Sequence, residues 1–530
     1  MNRRSARPYQ PRSVSAQVQL ALLLGAVLVV ALYALARYGS RWGETDTASY
    51  TQFLRAMYSE GRLMPESVAY PNGYGYTVLG VFLAYIGGGS LPNLQLYASA
   101  LLAIWVVLPA WLLYREFTSS SRAATLASVI LLIQPEFLFP ILRGTHEKFT
   151  RGLMFLCMYL LLRSFRSREN LRLFAAFILA FYLCAYALIT FNNFLATSFI
   201  IALGLALVLI WLARRRLAST ASLSTPTFRR MGYVILSLLA VAFVFTFYAY
   251  PPAQLQIQVL RSIGDRLAAL FLQVETAATN PYITISEGWV SLPVYFIVSL
   301  ANWLLLVFSF TIWLGQSFYL YIRRQPINKQ SELLLWAFYG AFALQGILSI
   351  VVDISGAIAS NMQHRIFPSF AMIAAPLAAS WLVQWRSRHA WARWVFRTGL
   401  WLGISILALL STLKALNEPL LSNKWVFHLP AEMQAVRWAD QYLINRSMWT
   451  EFDERIEAVI GIRTDLSGLK VVLDQFEAET TTRDFLVSTV TRLRSLRLGQ
   501  PLPIEADSLI TYDNGQAQIY HLRPRTPYQR

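Results

Sequence analysis

Long apolar stretches separated by short polar segments dominate the pattern of hydrophobic and polar positions along this chain of 530 residues. Each stretch holds roughly 20 residues, enough for a helix to cross about 30 Å of hydrocarbon. The first stretch is too long for a signal peptide and is expected to remain as an anchor. The pattern predicts a mainly α-helical membrane bundle of about 11 spans, at residues 17–36, 94–114, 123–140, 150–165, 172–190, 194–213, 231–250, 290–322, 331–352, 366–385 and 394–413.

Composition and charge place the chain in a membrane and orient it. Hydrophobic residues make up 56% of the chain and charged residues 14%, which is too apolar for a soluble domain. The formal net charge is +18, and the arginines cluster in every second inter-helix segment, as is typical of cytoplasmic loops. Arginines spread over short loops argue against a nucleic-acid partner. We expect a bacterial plasma-membrane protein with a cytoplasmic basic tail, residues 1–16, and residues 414–530 outside.

This orientation gathers the acidic residues of the membrane domain, residues 17–413, at the outer side. Only Glu116, Glu169 and Glu332 fall in its cytoplasmic segments. We therefore expect any chemistry that needs carboxylates to occur on the outer face.

The first outer segment, residues 38–93, is far longer than a turn between two helices requires. Apolar residues at helical spacing from Tyr50 to Met57 predict one amphipathic surface helix. A second is predicted from Val78 to a stop at Gly87. Long loops with their own structure are usually functional.

A carboxylate pair, Glu44 and Asp46, precedes the first of these surface helices. Asp46 can cap a helix that starts at Thr47. In an extended segment, residues two apart project to the same side, so the pair can also bind a divalent cation such as Mg²⁺ or Mn²⁺. Alternatively, one acid can act as a general base.

Two further outer segments carry charges that suit a phosphate or an acid–base role. Residues 140–149 include Arg143, Glu147 and Lys148, which are either a solvated helix start or a second acidic contact with Arg143 or Lys148 holding a phosphate. His364 and Arg365 begin a later span, where an arginine is either a snorkelling anchor or a phosphate ligand.

Aromatic residues of the outer segments are candidate walls for a substrate. Tyr70, Tyr74 and Tyr76 can pack on sugar faces, although such residues are also common in the aromatic belt of membrane proteins. His146 is a further wall candidate, and the outer segment 251–289 is another, less specific one.

Residues 414–530 predict a small α/β domain of mixed charge. Pro430–Leu443 and Thr482–Leu498 are predicted helices, and Lys470–Leu473 is a predicted strand. Asp513-Asn514-Gly515 between two alternating runs predicts a β-hairpin.

Four segments together resemble membrane glycosyltransferases of the GT-C superfamily: Glu44-Thr45-Asp46 with Tyr50, Tyr70-Pro71-Asn72-Gly73-Tyr74-Gly75, Arg143 to Lys148, and His364-Arg365. The resemblance covers about residues 1–413 and includes the order and sidedness of the segments. It implies a polyprenyl-phosphate-linked sugar donor and transfer to a glycan, lipid or protein hydroxyl on the non-cytoplasmic face.

The resemblance also implies roles for individual residues. Asp46 would activate the acceptor, directly or through a metal held with Glu44. Glu147 would assist, and Arg365 would bind the donor phosphate. Two features depart from the oligosaccharyltransferase branch: His146-Glu147 replaces an acid-x-acid pair, and the C-terminal segment lacks a WWD-type signature.

The main alternative is a secondary transporter or a flippase for lipid-linked glycans. Such proteins place ionisable residues within their spans, near the membrane midplane, whereas the predicted spans here are nearly free of acids. A third hypothesis, an inactive scaffold or a polysaccharide-export partner, predicts that Asp46 is dispensable.

Overall fold

The computed structural model describes residues 15–42, 44–167, 169–216, 225–272, 290–323, 327, 330–354, 362–385, 389–418, 421, 426–451, 453–463, 466, 468–472, 483–504 and 508–522. Most of the predicted tail, residues 1–16, and residues 273–289 of the predicted outer segment 251–289 lie outside these ranges.

Helices dominate the described residues of the membrane part. They are α1 Ala16–Tyr38, α2 Thr45–Glu60, α3 Gly75–Gly87, α4 Leu91–Thr118, α5 Ser121–Leu132, α6 Pro135–Leu142, α7 Glu147–Arg166, α8 Leu171–Phe191, α9 Asn193–Arg216, α10 Thr225–Val244, α11 Leu255–Phe271, α12 Leu292–Val298, α13 Leu300–Tyr321, α14 Gln330–Ile354, α15 Met362–Gln384 and α16 Ala390–Ala415.

Nine of the described helices are long and apolar enough to cross a membrane, or ten if the bent pair α5 and α6 forms one span. This confirms the predicted polytopic helical bundle. The predicted crossing at 150–165 corresponds to α7, which is less apolar because Arg151 lies within it and further charges flank both ends. The long stretch 290–322 is divided at Ser299 into α12 and α13.

The core of the bundle lies where α15 packs between α5 and α14. Small residues along α15, such as Ala371, Ala374 and Ala375, are fully buried, and they let the neighbouring helices approach closely. The bend of 79° between α5 and α6 falls just before Pro135, which has no amide hydrogen to continue the helix. Arg143 follows directly after the last residue of α6.

Two helices, α2 and α3, form in residues 38–93 as the sequence predicts. They pack on each other through Leu54 of α2 and Gly80 of α3. The turn before α3 rests on the end of α8. At Gly73, φ is +146°, and an added Cβ would lie 2.1 Å from the carbonyl oxygen of Thr190. Only glycine fits this close approach. The contact holds the turn before α3 against the end of α8.

The described residues of the C-terminal region form a five-stranded mixed sheet of strand order β2-β1-β3-β5-β4 with three helices. Its elements are α17 Pro430–Tyr442, β1 Ser447–Trp449, α18 Glu454–Ile462, β2 Lys470–Val472, β3 Asp484–Ser488, α19 Thr489–Leu498, β4 Leu509–Asp513 and β5 Ala517–His521.

This sheet confirms the small α/β region and the predicted hairpin, and it corrects one element. The segment predicted as a single helix over 482–498 contains strand β3 before α19 begins. Phe485, Leu486 and Val487 are all buried, because the strand is covered on both sides. A strand buried on both faces reads as a continuous apolar run, which periodicity cannot distinguish from a helix.

Candidate active site

Glu44, rather than Asp46, is the residue that caps α2. The helix begins at Thr45, and the Glu44 carboxylate accepts hydrogen bonds from the amide and the hydroxyl of Thr47, both at 2.8 Å. The predicted start at Thr47 with Asp46 as the cap is therefore wrong. The sequence did not distinguish the two because acids are favourable throughout the first helical turn as well as at the cap.

Both carboxylates meet the same guanidinium group. Arg143 Nη1 lies 3.0 Å from Glu44 Oε1 and 2.5 Å from Asp46 Oδ2. The Asp46 side chain is 54% exposed, whereas that of Glu44 is 10% exposed. Asp46 is therefore the acid that a substrate can reach, and Glu44 is held inside by its cap contacts.

Arg143 is a fixed positive charge in this arrangement. Burial lowers its pKa, but the carboxylates of Glu44 and Asp46 raise it further, so that the net pKa is above its usual range. Its guanidinium also stacks over the ring of Phe139, 5.1 Å from the centroid. Arg143 is one of the predicted phosphate ligands, and in this structure it neutralises the acid pair.

Tyr70 and His146, two of the predicted wall residues, form one buried network. His146 Nε2 lies 3.2 Å from the Tyr70 hydroxyl and 3.0 Å from Asn192 Nδ2, and Nδ1 lies 2.8 Å from the Thr150 hydroxyl. Burial lowers the pKa of His146 to about 4 and raises the pKa of Tyr70 to about 12. Both side chains are uncharged at neutral pH, so this wall is polar without carrying charge.

Tyr50 connects this wall to α2. Its ring packs 4.9 Å from the ring of Tyr70 and 5.5 Å from that of His146, measured between centroids. Tyr74, another predicted wall residue, pairs instead with the hydroxyl of Tyr186 at 3.1 Å. Tyr70 and His146, but not Tyr74, are therefore joined to the helix that carries Asp46.

Glu147 is linked to the start of α15 through Arg151, a residue that the sequence analysis missed. Arg151 Nε lies 3.2 Å from Glu147 Oε2, and the Arg151 side chain is 1% exposed. Its other nitrogens donate to the Ser369 hydroxyl and, at 3.3 Å, to the carbonyl of Arg365. A lone arginine inside an apolar span is a signal for such a role.

The start of α15 is held in place by carboxylates on neighbouring helices. Asp353 accepts hydrogen bonds from the amides of Met362 and Gln363, at 2.6 and 3.0 Å. Glu136 lies 3.4 Å from His364 Nδ1 and 3.0 Å from Lys414 Nζ. His364 thus has a carboxylate partner, while the exposed side chain of Arg365 lies at the N-terminal end of the helix and acts electrostatically on Glu147.

Lys148 is not positioned to bind a phosphate. It is fully buried, and its ammonium group donates to Ser99 Oγ and to the carbonyl of Arg143, both at 2.6 Å. These contacts hold the Arg143 main chain in place. The sequence could not distinguish Lys148 from Arg143, because both stand in the same short charged segment.

The acid pair does not fit a resident divalent cation in this geometry. A bound cation needs open carboxylate oxygens, and here Arg143 Nη1 contacts an oxygen of each acid. The imidazole of His146, whose ring packs against Tyr50 of α2, is engaged with Tyr70, Asn192 and Thr150. Within the described ranges no group of three or more His, Cys, Asp or Glu residues could hold a metal ion.

The fold of the described residues is similar to that of solved structures of ArnT and of an oligosaccharyltransferase, and this agrees with the fold that the sequence resemblance implies. Three of these structures illustrate the similarity. ArnT from Cupriavidus metallidurans, in the apo state, has a TM-score of 0.52 and 13% identity, covering 96% of this chain and 98% of that one.

The other two structures are of the Archaeoglobus fulgidus oligosaccharyltransferase. Its complex with zinc and sulfate has a TM-score of 0.56 and 12% identity, covering 90% of this chain and 68% of that one. Its complex with an inhibitory peptide and a dolichol-phosphate has a TM-score of 0.52 and 12% identity, covering 96% and 75%. No family model matches the sequence, and no curated protein matches it.

Proposed function

We propose that this protein is a membrane glycosyltransferase that moves a sugar from a polyprenyl-phosphate-linked donor to an acceptor hydroxyl of a glycan, a lipid or a protein. The observation that carries the proposal is the acid pair at the start of α2. One acid, Asp46, is accessible, and both acids are held by the buried cation Arg143. The fold supports this proposal, because it is similar to that of an oligosaccharyltransferase solved in complex with a dolichol-phosphate.

In the proposed reaction, Asp46 accepts the proton of the acceptor hydroxyl. The acceptor oxygen then forms a bond to the anomeric carbon of the sugar, while the bond from that carbon to the phosphate oxygen breaks. The leaving polyprenyl phosphate takes the bonding electron pair, and Arg365 stabilises its charge. Glu44 and Arg143 position Asp46, and Glu147 with Arg151 positions the start of α15.

One polar atom beside Asp46 supports a bound substrate at this place. Arg143 Nε is buried and has no hydrogen-bond partner among the described residues, although Nη1 of the same guanidinium contacts Asp46. Buried polar groups without partners are rare in folded proteins. A substrate hydroxyl group is a natural partner for this atom, because its oxygen can accept a hydrogen bond from the guanidinium.

The proposed orientation has the acid pair outside. The arginine-rich segments at the opposite ends of the helices, such as those around Arg166 and Arg214, would then face the cytoplasm. Glu116 between Arg163 and Arg166 would lie on that side, where it pairs with Arg163 at 3.4 Å. The donor would accordingly be used on the non-cytoplasmic face of a plasma membrane.

The decisive experiment offers purified protein a panel of polyprenyl-phosphate sugars, with and without EDTA, and measures released prenyl phosphate. We expect release with at least one donor. We also expect no effect of EDTA, because Arg143 occupies the place at which a cation would bind the acids. Release from no donor would favour the transporter or scaffold alternatives, and an EDTA-sensitive activity restored by Mn²⁺ would contradict the metal-free scheme.

Arg365→Ala is expected to raise the KM for the donor by about 10- to 100-fold, because a hydrogen bond to a charged group contributes about 1.5–3 kcal/mol. Arg365→Lys should retain part of the affinity, since it keeps the charge but loses the two-pronged contact. Steady-state kinetics at varied donor concentration measure the effect. Arg172→Ala, which removes an exposed arginine at the start of α8, serves as the control, and an equal rise in its KM would contradict the assignment.

A further inference from the structure

The C-terminal domain packs directly on α2, the helix that carries Asp46. Helix α18 lies along α2, where Ala48 packs with Ala458 and Ile462. At Gly461 an added Cβ would lie 3.2 Å from Gln52 Nε2 and 3.3 Å from the Cβ of Ala48. The two helices are therefore as close as their backbones and small side chains allow.

Arg55 of α2 binds the end of α18. Its Nη1 donates to the carbonyl of Gly461 at 2.8 Å, and its Nη2 donates to the carbonyl of Ile462. These carbonyls belong to the last turn of α18, where they have no partner within the helix and carry the negative end of its dipole. The sequence pattern places Arg55 on the polar face of α2, and that face meets the C-terminal domain.

A second connection joins the C-terminal domain to the chain just before Glu44. Trp42 and Phe427 form an isolated antiparallel bridge, and the amide of His428 donates to the carbonyl of Arg41 at 2.9 Å. The Tyr38 ring packs against Phe427 at 5.0 Å between centroids. The acid pair thus lies between two attachments to the same domain.

We propose that the C-terminal domain positions the acid pair and that Arg55 is the positioning residue through which it acts. Arg55 follows Asp46 by nine residues on one helix, a distance of about 14 Å at the rise of an α-helix. Fixing both ends of this segment restricts its rotation and translation relative to Arg143. This inference rests on the proposed function only for its effect on catalysis, since the positioning itself is measured separately.

The test compares Arg55→Ala, Arg55→Lys and, as a matched control, Arg62→Ala. Arg62 lies just after α2 and pairs only with the exposed Glu66 among its described ion pairs. Backbone hydrogen exchange is measured over residues 44–50 and, for reference, over residues 121–166. In Arg55→Ala we expect faster exchange over 44–50 and unchanged exchange over 121–166, with partial recovery in Arg55→Lys and no change in Arg62→Ala.

The catalytic arm measures kcat and the donor KM of the same variants. We expect Arg55→Ala to lower kcat by about 10- to 100-fold, since a misplacement of 1 Å can have an effect of this size, with the donor KM changed less than about twofold. A second variant, Gly461→Leu, keeps Arg55 but separates α18 from α2, and it should reproduce both effects if Arg55→Ala fails to fold.

The outcomes distinguish this inference from the proposed function. Unchanged exchange over residues 44–50 in both Arg55→Ala and Gly461→Leu overturns the positioning role. If the variants show increased exchange but the unaltered protein transfers no sugar from any donor, the positioning role is supported and the proposed function is rejected.

Discussion

Asp46→Asn is expected to abolish sugar transfer while the protein still folds and inserts into the membrane. The amide has nearly the same shape as the carboxylate but cannot accept the proton of an acceptor hydroxyl. Loss of a general base lowers turnover by about 10²- to 10⁴-fold. Stability should change little, because the Asp46 side chain is 54% exposed and Arg143 retains Glu44 as an ionic partner.

The measurement is kcat for the donor found in the panel experiment, together with size-exclusion behaviour and the melting temperature of the purified variant. Glu66→Gln is the matched control, because Glu66 is an exposed acid of the same outer segment. Full activity in Asp46→Asn would remove Asp46 from the mechanism and leave the scaffold reading as the better account of the acid pair.

A substitution of Glu44 tests the positioning of Asp46 separately from catalysis by Asp46. Glu44→Gln should weaken the start of α2 by about 1 kcal/mol, as loss of a helix cap does, because the cap contacts to Thr47 would lose their charge. If Asp46 is the base, this variant keeps measurable activity. The two neighbouring acids thus have different roles, although the sequence presents them as a symmetric pair.

The fold could be predicted from the sequence because its main signals are local. The length of each apolar stretch determines whether a helix can span the membrane, and every predicted stretch corresponds to described helices. The hairpin of β4 and β5 follows from Asn514-Gly515, where Gly515 has φ +84°. The element that failed, 482–498, failed because a strand covered on both faces has no alternation for a pattern to reveal.

The site could be predicted only in part, because its contacts join residues far apart in the chain. The sequence indicated Asp46, Glu44 and Arg143 as candidates, and the structure brings these three together. The sequence does not indicate that Lys148 is buried against Ser99 or that Glu136 pairs with His364. Burial and long-range pairing decide these roles, and neither can be read from the spacing of charges in a short loop.

Arg455 is the residue whose loss should most damage the C-terminal domain. It is fully buried, lies 2.7 Å from both Glu432 and Asp453, and donates to the carbonyl of Phe427. Arg455→Met leaves two buried carboxylates without their main cation, and breaking such a group costs about 3–5 kcal/mol of folding free energy. Thermal unfolding of the purified protein, with limited proteolysis of the C-terminal domain, measures the loss.

The pH dependence of the folding free energy lost in Arg455→Met identifies the cause of that loss. In the unaltered protein, burial raises the pKa of Asp453, but Arg455 lowers it further, so that the net pKa is below its usual value. The stability that this provides is present at neutral pH and falls as the pH approaches that pKa. In Arg455→Met the unpaired Asp453 carboxylate takes up a proton more easily, so the stability difference between the two proteins should narrow as the pH falls from about 7 to about 5.

Arg492→Met is the control, because Arg492 is an exposed residue of the same domain that bonds to Gln518. A difference independent of pH would mean that lost packing, rather than uncompensated charge, accounts for the destabilisation. Because the Phe427 carbonyl that Arg455 binds adjoins the attachment to Trp42, the same variant should also loosen the segment that precedes Glu44.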